Sequence, residues 1–288
     1  MARPAMLSAL GALALVAAAC APAAETTGAS SPSPASSAAC TKDQLKLVTA
    51  GKLTVGTDKP AYEPWFKGDD PSSGQGFESA VAYAVAGELG FQRDEVAWSV
   101  VKFDTAFAPG AKQFDFDVNQ VSITPDRAKA VDFSKGYYAV KQAVVAVEGG
   151  KYADAKDLAS LKDAKIGVQV GTTALQAIKD VIKPSQDPNV YNEQIDAINA
   201  LKNKQVEALV VDLPTAFFVT AAQVENSKIV GQFNATGTAG EEFGLVFQKG
   251  NPLVGCVNQA IDKLKANGDL AKIEKEWLGS AAGAPELS

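Results

Sequence analysis

Apolar residues in this chain come in short blocks that switch between two periods. At 53–58, 96–101, 114–121, 165–170 and 206–211 they form runs or alternations rich in Val, Ile, Leu and Phe, which predict strands. Between these blocks, apolar positions three and four apart predict helices at 78–89 (closed by Gly90), 105–112 and 192–202. The strand at 165–170 runs through Gly171-Thr172-Thr173 straight into another helix carrying Leu175, Ile178, Val181 and Ile182. A helix opens at Pro214, a strand spans 242–247, and Asn251-Pro252-Leu253 begins a long helix through Cys256, Ile261 and Leu264. A last helix begins near Gly268. Strands alternating with helices predict an α/β fold with parallel sheets and right-handed crossovers.

The most informative junction reads N-Q-V-S-I-T-P-D-R-A-K-A-V-D-F-S over 119–134. Thr124 is a natural N-cap, Pro125 suits the first helical position, and Asp126 suits the positive helix end. Arg127 is the misfit, because a cation in the first turn opposes the helix dipole. It is either a solvated surface charge or a fork that holds a carboxylate at the mouth of a strand. Gly171-Thr172-Thr173 likewise aims backbone N–H groups and hydroxyls at an anion, although Thr caps helices everywhere. Asp212, between a strand and the helix at Pro214, reads as an N-cap from its position alone. Glu78 reads as a structural acid in a helix's first turn. Asp117 and Asn119 share a strand face, either as a buried polar network or at the border of a cleft.

S-I-T-P-D-R followed by V-D-F-S and Gly136-Tyr137-Tyr138 resembles the S-I-T-x-x-R…V-D-F-S-x-P-Y-Y signature of the polar amino-acid-binding proteins of ABC importers (family 3), with Gly136 in place of the usual Pro. G-K-L-T-V-G-T-D at 51–58 resembles that family's first strand, Gly76-Phe77-Glu78 its Gly-Phe-Asp, and Trp277-Leu278 its closing segment. The resemblance covers roughly 53–278. It implies a type II periplasmic-binding-protein clamshell, two α/β lobes joined by two hinge strands near 143–147 and 238–246. In this family Arg127 holds the ligand's α-carboxylate, with Gly-Thr-Thr gripping it from the second lobe through Thr172 and Thr173. Asp212 binds the ammonium group. Ser122, Gln120, Asp58, Tyr62, Trp65, Phe103 and Gln169 complete the expected ligand-binding set. The neighbours Asn119, Gln120 and Gln169 favour a polar or amide side chain over a bulky aliphatic one, and Asp58 leaves a cationic amino acid open.

Composition bears on what else the chain does. It has 288 residues, 47% hydrophobic, 21% charged, with formal net charge −6 and pI about 4.9, which argues against a nucleic-acid partner. Histidine is absent and only three Cys occur, which removes imidazole catalysis and argues against a zinc or other metal site. No cofactor is expected. Residues 1–19 read as a signal peptide, with Arg3, an apolar 6–16 and Ala17-Ala18-Ala19 before Cys20. That ending resembles a bacterial lipobox, which makes Cys20 the lipidated residue, although Ala17 stands where Leu is usual. Residues 20–39, nearly all Ala, Pro, Ser, Thr and Gly, read as a disordered tether. With Cys20 assigned to the lipid, Cys40 and Cys256 remain as an even pair in an oxidising compartment and are expected to form a disulfide. The expected organisation is lobe 1 from 40–143 and 239–288, and lobe 2 from 144–238. The expected protein is a monomeric surface lipoprotein on the bacterial cytoplasmic membrane, delivering a free amino acid to ABC permease subunits. Two alternatives stay open: a periplasmic enzyme on the same fold resembling cyclohexadienyl-acid dehydratases, and a ligand-sensing lipoprotein.

Overall fold

The computed structural model describes residues 40–235, 240–279 and 283–288. The signal peptide, Cys20, the tether and the predicted lobe boundary at 238/239 lie outside the described residues.

β1 (Leu53–Thr57) is buried along its whole length and runs parallel to β2 (Val96–Val100), with Gly56 opposite Ser99. The crossover between them is α1 (Phe77–Glu88), which packs Phe77, Val81 and Val85 against the sheet. Gly76 begins this crossover at φ 97°; a Cβ there would lie 2.4 Å from the Trp65 carbonyl oxygen, so only glycine lets the loop fold under the helix. A short α2 (Phe103–Ala106) leads to β3 (Phe116–Asp117), parallel to β1 on its other side. Then come α3 (Arg127–Ala130) and β4 (Val131–Phe133).

The chain leaves this lobe through β5 (Tyr138–Val140) and enters the second sheet with β6 (Gln142–Val147). There follow β7 (Ile166–Gln169), α4 (Thr173–Ala177), β8 (Asn189–Tyr191), α5 (Gln194–Lys202), β9 (Ala208–Asp212), α6 (Leu213–Phe218) and β10 (Ser227–Phe233). The return strand β11 (Glu241–Phe243) pairs antiparallel with β5, and β12 (Val246–Gln248), α7 (Leu253–Ala266) and α8 (Asp269–Leu278) complete the first lobe. Strand order is β2-β1-β3-β12-β4 in lobe 1 and β10-β6-β9-β7-β8 in lobe 2. This is the expected two-lobed α/β architecture, but both sheets are mixed. β12 and β6 arrive directly from another strand or from the other lobe, without a crossover helix, and run against their neighbours; β10, reached from β9 through α6, is antiparallel only to the reversed β6.

Lobe 1 stacks α1, α7 and α8 on one sheet face around Val55, Phe116, Phe247 and Val257. Lobe 2 buries both faces: Val144, Val168 and Val210 pack toward α4, while Val145, Leu209 and Val211 pack with residues of α5 and α6. The Cys40–Cys256 disulfide is present and ties the first described residue to α7.

Several expectations need correction. The crossing expected at 143–147 is already the first strand of lobe 2, and the connection lies at β5. The strand expected over 114–121 pairs only at Phe116–Asp117, because Gln120 turns to φ 49°. The helix expected over 105–112 is the single turn α2. The C-terminal residues do not belong wholly to lobe 1. Leu287 is buried in the lobe-2 core, its N–H donates to Gln232 O at 2.8 Å, and its side chain fills the space over Gly231.

Candidate functional site

The carboxyl ends of β1 and β9 point at one another across a cleft, the position where open α/β sheets place ligands. A narrow cavity in this cleft is lined from lobe 1 by Asp58, Tyr62, Phe66, Phe103, Asn119, Gln120, Ser122 and Arg127. Lobe 2 contributes Gln169, Thr172, Thr173, Gln194 and Asp212. Ten of the eleven expected ligand-binding residues therefore border one space. Trp65 does not. It is fully buried in the lobe-1 core, edge-on to Phe77, Tyr138 and Phe243, and its indole N–H donates to Thr215 Oγ1 at 3.0 Å. Phe66, its neighbour in sequence, borders the cavity but is itself buried in the lobe-1 core, edge-on to Trp98.

The lobes are closed on each other. Arg127 donates from Nη1 to Ser122 O at 2.8 Å within its own lobe and from Nη2 to Gly171 O at 2.9 Å across the cleft. Its guanidinium lies over the Phe107 ring at 4.3 Å and near Phe103 at 5.7 Å. Loss of solvent draws its pKa down to about 10, and the nearby charges of Glu241 and Asp212 act against that. Thr124 Oγ1 accepts the Arg127 N–H at 3.2 Å, so the expected cap forms although the helix proper is a single turn.

Asp212 stands at the N-cap position of α6 yet makes no capping hydrogen bond. It accepts instead from Gln142 Nε2 at 2.8 Å and faces the cavity. Thr172 does cap: its hydroxyl accepts from Leu175 N at 3.2 Å and donates to Gln169 O at 2.8 Å, which leaves its backbone N–H as the group to offer a ligand. Gln120 borders the cavity with its hydrogen-bond donors already engaged. Its backbone N–H, at 2.7 Å, and its side-chain amide both donate to Glu78, which also accepts from the Tyr137 hydroxyl. The helix-start acid thus fixes a left-handed residue on the cleft wall. Asn119 borders the cleft, whereas Asp117 is fully buried beside it, and among the described residues neither of its carboxylate oxygens meets a donor.

At the mouth, Asp58 accepts from Lys59 N at 2.7 Å and Phe103 N at 3.3 Å. It shares an adjoining pocket with Asp104, Glu193 and Asp196, against one cation, Lys102, which approaches Glu193 across the cleft at 3.9 Å. Two buried polar residues of this site escaped the sequence reading, Gln142 and Glu241, both at the lobe crossing. The signal for Gln142 is a polar residue heading the buried run Ala143–Val147, and for Glu241 an acid at the start of a buried strand.

These contents decide between binding and catalysis only with the comparisons. The family model for bacterial extracellular solute-binding proteins, family 3, matches residues 53–280. The chain belongs to that family. Among relatives of this family-3 binding protein, the L-cystine-binding protein TcyJ of Escherichia coli (strain K12) is 28% identical over 238 residues, covering 82% of this chain and 85% of TcyJ. The L-arginine-binding protein of Pseudomonas aeruginosa is 30% identical over 247 residues, covering 81% and 93%. Among solved structures, an ancestral arginine-binding protein bound to glutamine superposes with TM-score 0.67 at 31% identity, covering 80% of this chain and 99% of that one.

The buried acids of this binding protein set a pH dependence. Burial, then the charge of Glu241, pushes Asp212 up to about 8 from 3.8. Burial pushes Glu78 up to about 7 from 4.5, against the bonds from Tyr137 and Gln120. Both groups hold their proton more tightly folded than unfolded, so the stability they add is complete below about pH 4 and is lost as pH rises through 7 to 8. Without amino acid, the melting temperature is expected to fall between pH 5 and 8.5. Asp212→Asn should flatten the upper part of that decline, and thermal melts in a pH series check both.

Proposed function

We propose that this protein closes on one amino acid, its α-carboxylate on Arg127 and the Thr172–Thr173 backbone, its ammonium on Asp212. The chain is the amino-acid-binding component of an ABC importer, and it is a binding protein rather than an enzyme. The observation that carries this reading is that Arg127 and Asp212 border one cavity from opposite lobes. A zwitterion placed between them attracts both lobes, so its binding energy favours closure.

The side chain would extend past Tyr62, Phe103 and Gln169 toward Asp58. The excess of acids there, Asp58, Asp104, Glu193 and Asp196 against Lys102, favours a cationic end, with an amide next. The relative named for arginine is in keeping with a cationic end, and the one named for cystine with a polar ligand more generally. Lipidation at Cys20 with residues 20–39 as tether would hold the protein at the outer face of the cytoplasmic membrane beside its permease. The Ala-Ala-Ala-Cys ending supports this part.

Calorimetry against the twenty amino acids and ornithine tests the ligand class. The expected result is tight binding of at least one among arginine, lysine, ornithine, histidine and glutamine. Tight leucine binding with no polar binder would overturn it.

A further inference from the structure

Glu241 opens β11, the return strand between the lobes, and is only 8% exposed. Its Oε1 accepts from Ser122 Oγ of lobe 1 and from Thr173 Oγ1 of lobe 2. Its Oε2 accepts from Gln142 Nε2 at 3.3 Å, the same nitrogen that donates to Asp212 Oδ1 at 2.8 Å. Among the described residues no Lys or Arg lies within ion-pair distance of Glu241. A buried carboxylate is costly unless donors surround it, and here three neutral donors do so. Two of them belong to opposite lobes, so this compensation exists only while the lobes are closed.

The same two chain segments present the cation. Arg127 is bonded to Ser122 O and Gly171 O, one on each side of the hydroxyl pair. Each hydroxyl has a single proton to donate. With both directed at Glu241, neither remains for a second carboxylate.

We propose that Glu241 is a resident carboxylate that holds the two hydroxyls the ligand's α-carboxylate needs beside Arg127, so that an amino acid binds by exchange with it at Ser122 and Thr173. This rests on the binding reading above. Before ligand arrives, Glu241 draws Ser122 and Thr173 together and favours the closed form. An incoming carboxylate takes over the two hydroxyls, adds the attraction of Arg127, and leaves Glu241 to Gln142. Affinity is therefore set by the difference between two carboxylates and lies below what the same donors would give if free. A ligand with an ammonium but no carboxylate cannot make the exchange, which makes Glu241 a selectivity residue for whole amino acids.

The test uses the full chain with Glu241→Ala, and Glu241→Gln as the isosteric control against misfolding. Small-angle scattering without amino acid should give a larger radius of gyration for Glu241→Ala than for wild type. Acetate, which fits the vacated seat, should return the variant to the wild-type value and raise its melting temperature, with no effect on wild type. Arginine, used as the probe in calorimetry, should bind Glu241→Ala roughly tenfold more tightly, corresponding to a seat free about a tenth of the time in wild type. Glu241→Gln should fall between, since its amide oxygen still accepts but carries no charge. An unchanged radius of gyration in Glu241→Ala, no response to acetate, or weaker arginine binding in both variants would overturn the proposal. The scattering and acetate measurements need no amino acid. If they respond while no amino acid binds, the transport reading and the exchange fail together, and what stands is the lobe-closing contact of Glu241 with Ser122 and Thr173.

Discussion

Arg127→Ala is expected to weaken amino-acid binding by about 2–5 kcal/mol, the range for removing one partner of a buried charge pair. The ligand's carboxylate would lie in a closed cleft without the cation that, among the described residues, borders this cavity, because Lys102 stands at the outer mouth, in the adjoining pocket. The fold should be little affected. Thr124 still caps the one-turn helix, and a first-turn cation contributes nothing favourable to the dipole. Closure, however, loses the bond from Arg127 Nη2 to Gly171 O, so the variant's lobes should also separate more readily. Arg127→Lys should recover only part of the affinity, because a single ammonium cannot bridge Ser122 O and Gly171 O while facing a carboxylate. Calorimetry with the amino acid that wild type prefers, alongside thermal melts without it, separates binding from folding. Wild-type affinity in Arg127→Ala would end the two-point reading of this cleft and leave the arginine as a link between lobes.

The parts of this molecule that could be read along the chain are those that local chemistry specifies. β1 and the S-I-T-P-D-R junction announce themselves through adjacent residues, and so does the Gly-Thr-Thr turn. What stayed hidden depends on partners far away in sequence. Nothing around Gln120 signals a left-handed conformation; Glu78, 42 residues earlier, imposes it through two hydrogen bonds. Trp65 and Phe66 look equally suited to a cleft. The fold under Gly76 buries both rings in the core, and only Phe66 also reaches the cavity. Leu287 is a lone apolar residue near the chain end, without periodicity, and the bare backbone at Gly231 is what receives it. Glu241 becomes a site residue because the lobe crossing sets β11 beside Ser122, through the bridge to Phe243. Polar residues at a crossing are thus informative only once the crossing is known.

Removing the disulfide by Cys40→Ser with Cys256→Ser is expected to cause the largest loss of stability of any change considered. The two cysteines are 216 residues apart, and for a loop of that size the chain-entropy model gives about 5 kcal/mol. For a chain of this length that corresponds to a fall in melting temperature of roughly 10–20 °C. Local structure points the same way. The segment from Cys40 to β1 forms only a short 3₁₀ turn and is otherwise held by packing of Leu45 and Leu47, a Lys42–Glu95 ion pair and the Val48 N–H on Asp115. Without the bridge these contacts still hold the segment to lobe 1, but no longer through a covalent tie to α7. The cleft should be spared, because Cys256 sits on the helical side of the lobe-1 core and neither cysteine lines the cavity. Amino-acid affinity at 25 °C should therefore remain within about twofold of wild type while calorimetric unfolding shifts down, a difference under 0.5 kcal/mol against one near 5. A melting temperature within about 2 °C of wild type would mean that the long loop constrains the unfolded chain far less than its length implies, as residual structure in that state would allow. A matching loss of affinity would mean that α7 helps to position the lobe-1 wall of the cleft.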